Sequence, residues 1–138
     1  MTVEENKAVV ARMEDEFFNR RNLAAIDDFI APDYVLRATD PALSSGREAI
    51  RDSIAAYIAG FSDLRVTIDE LIAVDDRVVA VMTFTGTHDG ELFGVPPTQR
   101  RIRVRQIAIY RIAGGKVVEE WECSDQLALM QQLGVMEA

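Results

Sequence analysis

Two hydrophobic periods divide this chain. Over the first sixty residues apolar positions recur every three to four places, and from Leu64 onward they recur every second place. Thr2 followed by Glu5 is a capping box that opens a helix running to about Asn19. Val10, Met13 and Phe17 form its stripe, with Glu4, Lys7, Glu14 and Asp15 mostly outside it. Asn22 is placed to cap a shorter helix whose apolar face is Leu23, Ile26, Phe29 and Ile30, stopped by Pro32. Residues 34–38 read as extended. Ser45 and Glu48 repeat the capping-box pattern before a third helix, which gathers Ile50, Ile54, Tyr57 and Ile58 and ends at Gly60.

The remainder reads as an antiparallel meander. Residues 64–74 and 78–88 are β-rich runs joined by Asp75-Asp76-Arg77, a hairpin signal. Gly90, Gly94, Pro96 and Pro97 make residues 89–99 a loop. Ile102, Val104, Gln106, Ala108 and Tyr110 then alternate along a strand, Gly114-Gly115 turns the chain, and residues 116–123 return. Ser124 and Asp125 open a short helix over residues 126–133, with Asp125 in the N-cap position and Gly134 closing it. Helices, then a meandering sheet, then one helix define an α+β domain. A strongly twisted sheet with helices on its concave side would enclose a pocket between them.

Length and composition narrow the class. The 138 residues suit one domain spanning residues 1–138, long enough to build a core without disulfide or metal. A formal net charge of −8 argues against nucleic acid and against an anionic membrane surface as partners. No apolar run approaches the ~20 residues of a membrane span. Met1 to Lys7 is polar and acidic, unlike a secretory signal, and Cys123 is the only cysteine. A cytoplasmic protein is expected.

The two C-terminal strands direct Gln106, Tyr110 and Glu122 towards one apolar surface. A carboxylate so aimed is solvated, paired, or held for proton chemistry, because an apolar site can raise its proton affinity towards that of a useful base. Gln106 could bind a carbonyl oxygen or be a buried amide satisfied by backbone. His88, the only histidine, ends a strand at the rim of the expected pocket, either as proton donor or as part of its turn. With no second histidine or paired cysteines near His88, Asp89 and Glu91, no metal is expected. Arg101, Arg103 and Arg105 share the opposite sheet face, either as an anion site or as a solvated or dimer-facing surface paired with groups such as Glu119. Tyr34, Tyr57 and Tyr110 are packing residues or sources of a pocket hydroxyl.

Thr85-Gly86-Thr87-His88-Asp89-Gly90, Phe93-Gly94-Val95-Pro96-Pro97-Thr98 and Gly115-Lys116-Val117-Val118-Glu119-Glu120-Trp121 together resemble the SnoaL-like polyketide cyclase family. So do Asp125-Gln126-Leu127, Gln131-Gln132-Leu133-Gly134, Ala31-Pro32-Asp33-Tyr34 and the helix start at Asn6-Lys7. The resemblance implies a cone-shaped, curved antiparallel or mixed sheet with N-terminal helices on its concave side, as in nuclear transport factor 2 and ketosteroid isomerases. It also implies a homodimer, a small apolar ligand and no cofactor. Characterised members close a ring by intramolecular aldol condensation, using an acidic residue near the end of the last strand. That position is Glu122 here, where the family has aspartate. Tyr34, Gln106, Tyr110, Trp121 and Arg37 are the expected substrate contacts, and His88 is a candidate helper to Glu122. The family's glutamine and histidine, two apart on the neighbouring strand, read Gln106 and Ala108 here, so the known mechanism does not transfer whole. Arg37, where many relatives have histidine, could instead pair with Glu122 and disable it as a base. The alternatives are a ligand-binding protein without catalysis, an isomerase, or an epoxide hydrolase, although no Asp-Arg-Asp network is visible by spacing.

Overall fold

A computed structural model describes residues 1–137. Helix α1 (Val3–Glu14) starts where the capping box predicts, the Glu5 amide donating to Thr2 Oγ1 at 3.1 Å. It does not continue as an α-helix to Asn19; Asp15–Asn19 is a π-helical turn. Asn19 is clamped to the first strand of the meander, its Nδ2 donating to the Val66 carbonyl at 3.1 Å and its Oδ1 accepting from the Val66 amide at 2.8 Å.

Asn22 does not cap the next segment with its side chain. Its Nδ2 donates to Glu16 at 3.1 Å instead. A 3-10 turn (Leu23–Ala25) leads into the single-turn α2 (Ile26–Phe29), and strand β1 (Ile30–Leu36) begins before Pro32 rather than after it. Proline is accommodated there because β1 is an edge strand with an irregular register, where a missing N–H breaks no ladder. The second capping box also fails. Ser45 is drawn into a bridge with Leu36, so Gly46 takes the cap position of α3 (Arg47–Gly60) without a side-chain bond.

The meander is as the period predicts: β2 (Arg65–Val74), β3 (Arg77–Thr87), β4 (Arg101–Ala113) and β5 (Lys116–Ser124), then α4 (Gln126–Leu133). Gly114 and Gly115 take φ of 60° and 78° between β4 and β5, a turn that side chains with a Cβ resist. Asp125 accepts from the Ala128 amide at 3.0 Å, and Gly134 ends α4 in the left-handed conformation. The sheet order is β1-β5-β4-β3-β2, antiparallel except that β1 runs parallel to β5.

Registration fixes the two faces. Val78, Ala80 and Met82 of β3 lie opposite Tyr110, Ala108 and Gln106 of β4, and this face packs Val9, Val10, Met13 and Phe17 beneath α1 into one core. On β4 the odd-numbered residues form the outer face, where Arg101, Arg103, Arg105 and Ile107 are exposed. The chain is thus an α+β cone with helices on the concave side of a curved mixed sheet.

Candidate active site

A pocket of ≈120 Å³ opens between α3, α4 and the concave face. Its floor and walls are apolar, with Phe18, Ile54, Phe61, Phe84, Val104 and Leu129 among them; Gln106, Glu122, Ser124 and Gln126 bring polar groups to it. Phe18 stands edge-on to Phe84 with ring centroids 5.0 Å apart, which stiffens one wall.

Among the described residues, Glu122 is the one carboxylate in this lining. It is exposed towards the opening rather than deep, and Gln106 Nε2 donates to its Oε2 at 3.1 Å. Among the described residues no lysine or arginine forms an ion pair with it. The possible Arg37–Glu122 pair does not form. Arg37 Nε binds Glu119 at 2.6 Å, and Arg111 Nε holds the other oxygen of Glu119 at 2.8 Å, on the outer face. Glu119 is therefore not the partner of the Arg101, Arg103 and Arg105 stripe; Arg101 pairs with Asp63 at 3.4 Å instead. The two guanidinium groups hold the Glu119 carboxyl below the usual carboxylate range.

Behind Glu122 lie two buried carboxyl groups. Glu120 is two residues earlier on β5 and 4% exposed; Tyr34 Oη donates to its Oε1 at 2.6 Å. Burial first, and then the neighbouring Glu122 carboxylate, push Glu120 well above the usual range. Glu14 of α1 is 3% exposed and accepts a hydrogen bond from Tyr110 Oη. Burial raises its pKa to about 7, opposed by the Tyr110 bond and assisted by the charge of Glu122. Both phenols are raised as well, chiefly by burial and then by the carboxylate each one meets.

The sequence-predicted residues therefore divide. Gln106 and Glu122 meet at the pocket. Tyr34 and Tyr110 lie one layer below, engaged with carboxylates, and do not line it. Trp121 is on the outer face, with the Arg77 guanidinium 4.8 Å from its ring centroid. His88 is not at the rim. It is fully buried behind the pocket-wall residue Phe61, at a centroid distance of 5.5 Å. Its Nδ1 lies 3.0 Å from Thr98 Oγ1 and accepts from the Thr98 amide at 3.2 Å, tying down the 89–99 loop. Ala108 is directly opposite Glu122 across the β4–β5 ladder, so the family histidine is absent from the position facing the candidate base.

Glu14 and Glu120 are the residues that sequence reasoning missed. Placing Glu14 outside the α1 stripe was an error of phase: it is four residues after Val10 and three before Phe17, hence on their face. Glu120 shares Glu122's face by the two-residue period, so an inward Glu122 already implied it.

A curved sheet closed by helices over a mostly apolar pocket, with one carboxylate in its wall among the described residues, is an arrangement common to small-molecule sites. Residues 8–133 match the SnoaL-like polyketide cyclases, and the chain belongs to that family. It is 31% identical over 121 residues to the nogalonic acid methyl ester cyclase of Streptomyces nogalater, covering 85% of this chain and 89% of that one. Its fold is similar to AclR of Streptomyces galilaeus, provisionally described as a hydroxylase, with a TM-score of 0.90 and 29% identity over 99% of this chain and 85% of that one. TsrD of Streptomyces laurentii is similar at a TM-score of 0.85 and 29% identity, over 99% of each chain.

Proposed function

We propose that the pocket is the active site of a cofactor-independent cyclase acting on a polyketide-like carbonyl compound, with Glu122 as general acid/base. The observation that carries this reading is the setting of Glu122: a carboxylate in a mostly apolar lining, hydrogen-bonded by an amide and, among the described residues, without a cation partner. Its carboxylate removes a proton next to a carbonyl, and the resulting enolate attacks a second carbonyl of the same molecule to form the ring C–C bond. The new alkoxide then takes the proton back from Glu122. Gln106 has a second N–H beyond the one given to Glu122, and that donor meets the substrate carbonyl.

Whole ligand sites run to roughly 300–1,000 Å³. The enclosed space here seats only the reacting end of a larger substrate, the remainder extending through the opening. His88 takes no part in proton transfer in this reading and serves the loop. The working form is a homodimer joined by the outer sheet face, which leaves Ile72, Val74 and Ile107 exposed on the single chain. A cytoplasmic location suits Cys123, which is exposed and free.

A non-catalytic ligand-binding protein is the second reading, favoured by Ala108, which places a methyl group where a proton donor would face Glu122. Nogalonic acid methyl ester is the probe that separates the two. Loss of general-base help in Glu122→Gln is expected to slow its cyclisation by about 10²- to 10⁴-fold with binding retained. Binding by the wild type without turnover would instead establish the ligand-binding reading.

A further inference from the structure

Glu120 and Glu122 share the concave face of β5, one sealed from solvent and the other opening on the pocket. Tyr34 Oη occupies Glu120 Oε1 at 2.6 Å, and Gln106 Nε2 occupies Glu122 Oε2 at 3.1 Å. The titratable groups around Glu120 are Tyr34 of β1, Glu14 of α1, Tyr110 opposite it on β4, and Glu122 on its own strand. None is a cation, and among the described residues no arginine or lysine pairs with either carboxyl group. A carboxyl group only 4% exposed, with no cation beside it and a second carboxylate two residues along the same strand face, keeps its proton. Glu120, not the exposed Glu122, is the site where the charged form loses its hydration.

We propose that Glu120 is a positioning residue: a carboxylic acid that stays protonated and donates a hydrogen bond from Oε2 to the Glu122 carboxylate, holding it aimed into the pocket. Its role in turnover rests on the reading of Glu122 as the acid/base. Tyr34 completes the device by binding Oε1, which leaves Oε2 as the oxygen that carries the proton. The direction of Glu120's pKa agrees, raised by burial and by Glu122. The resting pair therefore holds one proton and a single negative charge. During the reaction Glu122 receives the substrate proton and the pair becomes neutral; the alkoxide removes that proton and restores the resting charge. The proton on Glu120 is never exchanged with substrate.

Carboxyl-carbon NMR of the labelled protein, with Glu120→Gln to assign the signal, tests the protonation state without turnover. The Glu120 carbon is expected to keep the shift of a neutral acid at pH 7. Glu120→Leu, which removes a hydrogen bond to a charged group, is expected to slow cyclisation of nogalonic acid methyl ester about 10- to 100-fold. Glu120→Gln can still accept from Tyr34 and donate to Glu122, so it should restore most of the rate. A Glu120 signal already ionised at pH 7, or identical behaviour of the Gln and Leu variants, would overturn the assignment. If Glu122→Gln leaves turnover intact, the catalytic reading falls separately, and the Glu120 titration still decides whether the pair holds its proton there.

Discussion

Replacing Glu14 by glutamine isolates the effect of one buried carboxyl group on stability. In the fold its pKa rises from the ordinary 4.5 to about 7, burial being the largest cause. Between those two values the folded chain binds more protons than the unfolded chain, so stability falls as pH rises. The contribution of Glu14 is fully present below pH 4.5 and is lost as pH passes through about 7. At about 1.4 kcal/mol for each pH unit separating the two pKa values, the loss is roughly 3 kcal/mol. Glutamine keeps an oxygen that accepts from Tyr110 and has no proton to release. Relative to wild type, Glu14→Gln should therefore gain roughly 3 kcal/mol between pH 4.5 and pH 8, or about 10 °C in melting temperature for a chain of this length. Urea unfolding of both proteins at several pH values across that window measures the difference. Glu120 is present in both proteins and contributes with the same sign. Stability curves that run parallel through the whole window would refute the reasoning.

Two further predictions concern the frame around the site. A Cβ at Gly90 would stand 2.0 Å from the Ala59 carbonyl oxygen, where the loop amide bonds to Gly60 at the end of α3. Backbone cannot yield as a side chain does, so Gly90→Ala should cost at least about 1–3 kcal/mol, visible by thermal melting, and an unchanged melting temperature would refute it. Ile107→Glu places a charge on the outer sheet face and should leave a single chain of 15.4 kDa in light scattering. A wild-type protein that already has the mass of one chain would dismiss the proposed dimer.

The hydrophobic period by itself determined most of the architecture. Alternation from Leu64 onward fixed the meander, and the same alternation set Gln106 and Glu122 on one face, because successive strand residues must point to opposite sides. The outer strip of Arg101, Arg103 and Arg105 follows from that rule as well. Local signals were less reliable where tertiary contacts competed. Ser45 forms a bridge to Leu36 instead of a cap, and Pro32 lies within a strand because that strand is at the edge.

What only the tertiary structure decided is which polar groups are cut off from water. Nothing in the pattern distinguishes a glutamate on a helix flank from one pressed against Tyr110, since burial depends on elements nearly a hundred residues apart, as for Glu14 and Tyr110. His88 was expected at a rim and lies behind Phe61; Arg37 was weighed as a partner of Glu122 and instead binds Glu119 on the far face. Charge, distance and dehydration together set proton affinity, and the three quantities exist only once β1, β5, β4 and α1 are brought together. The sequence named the carboxylate at the pocket. The fold supplied the two behind it.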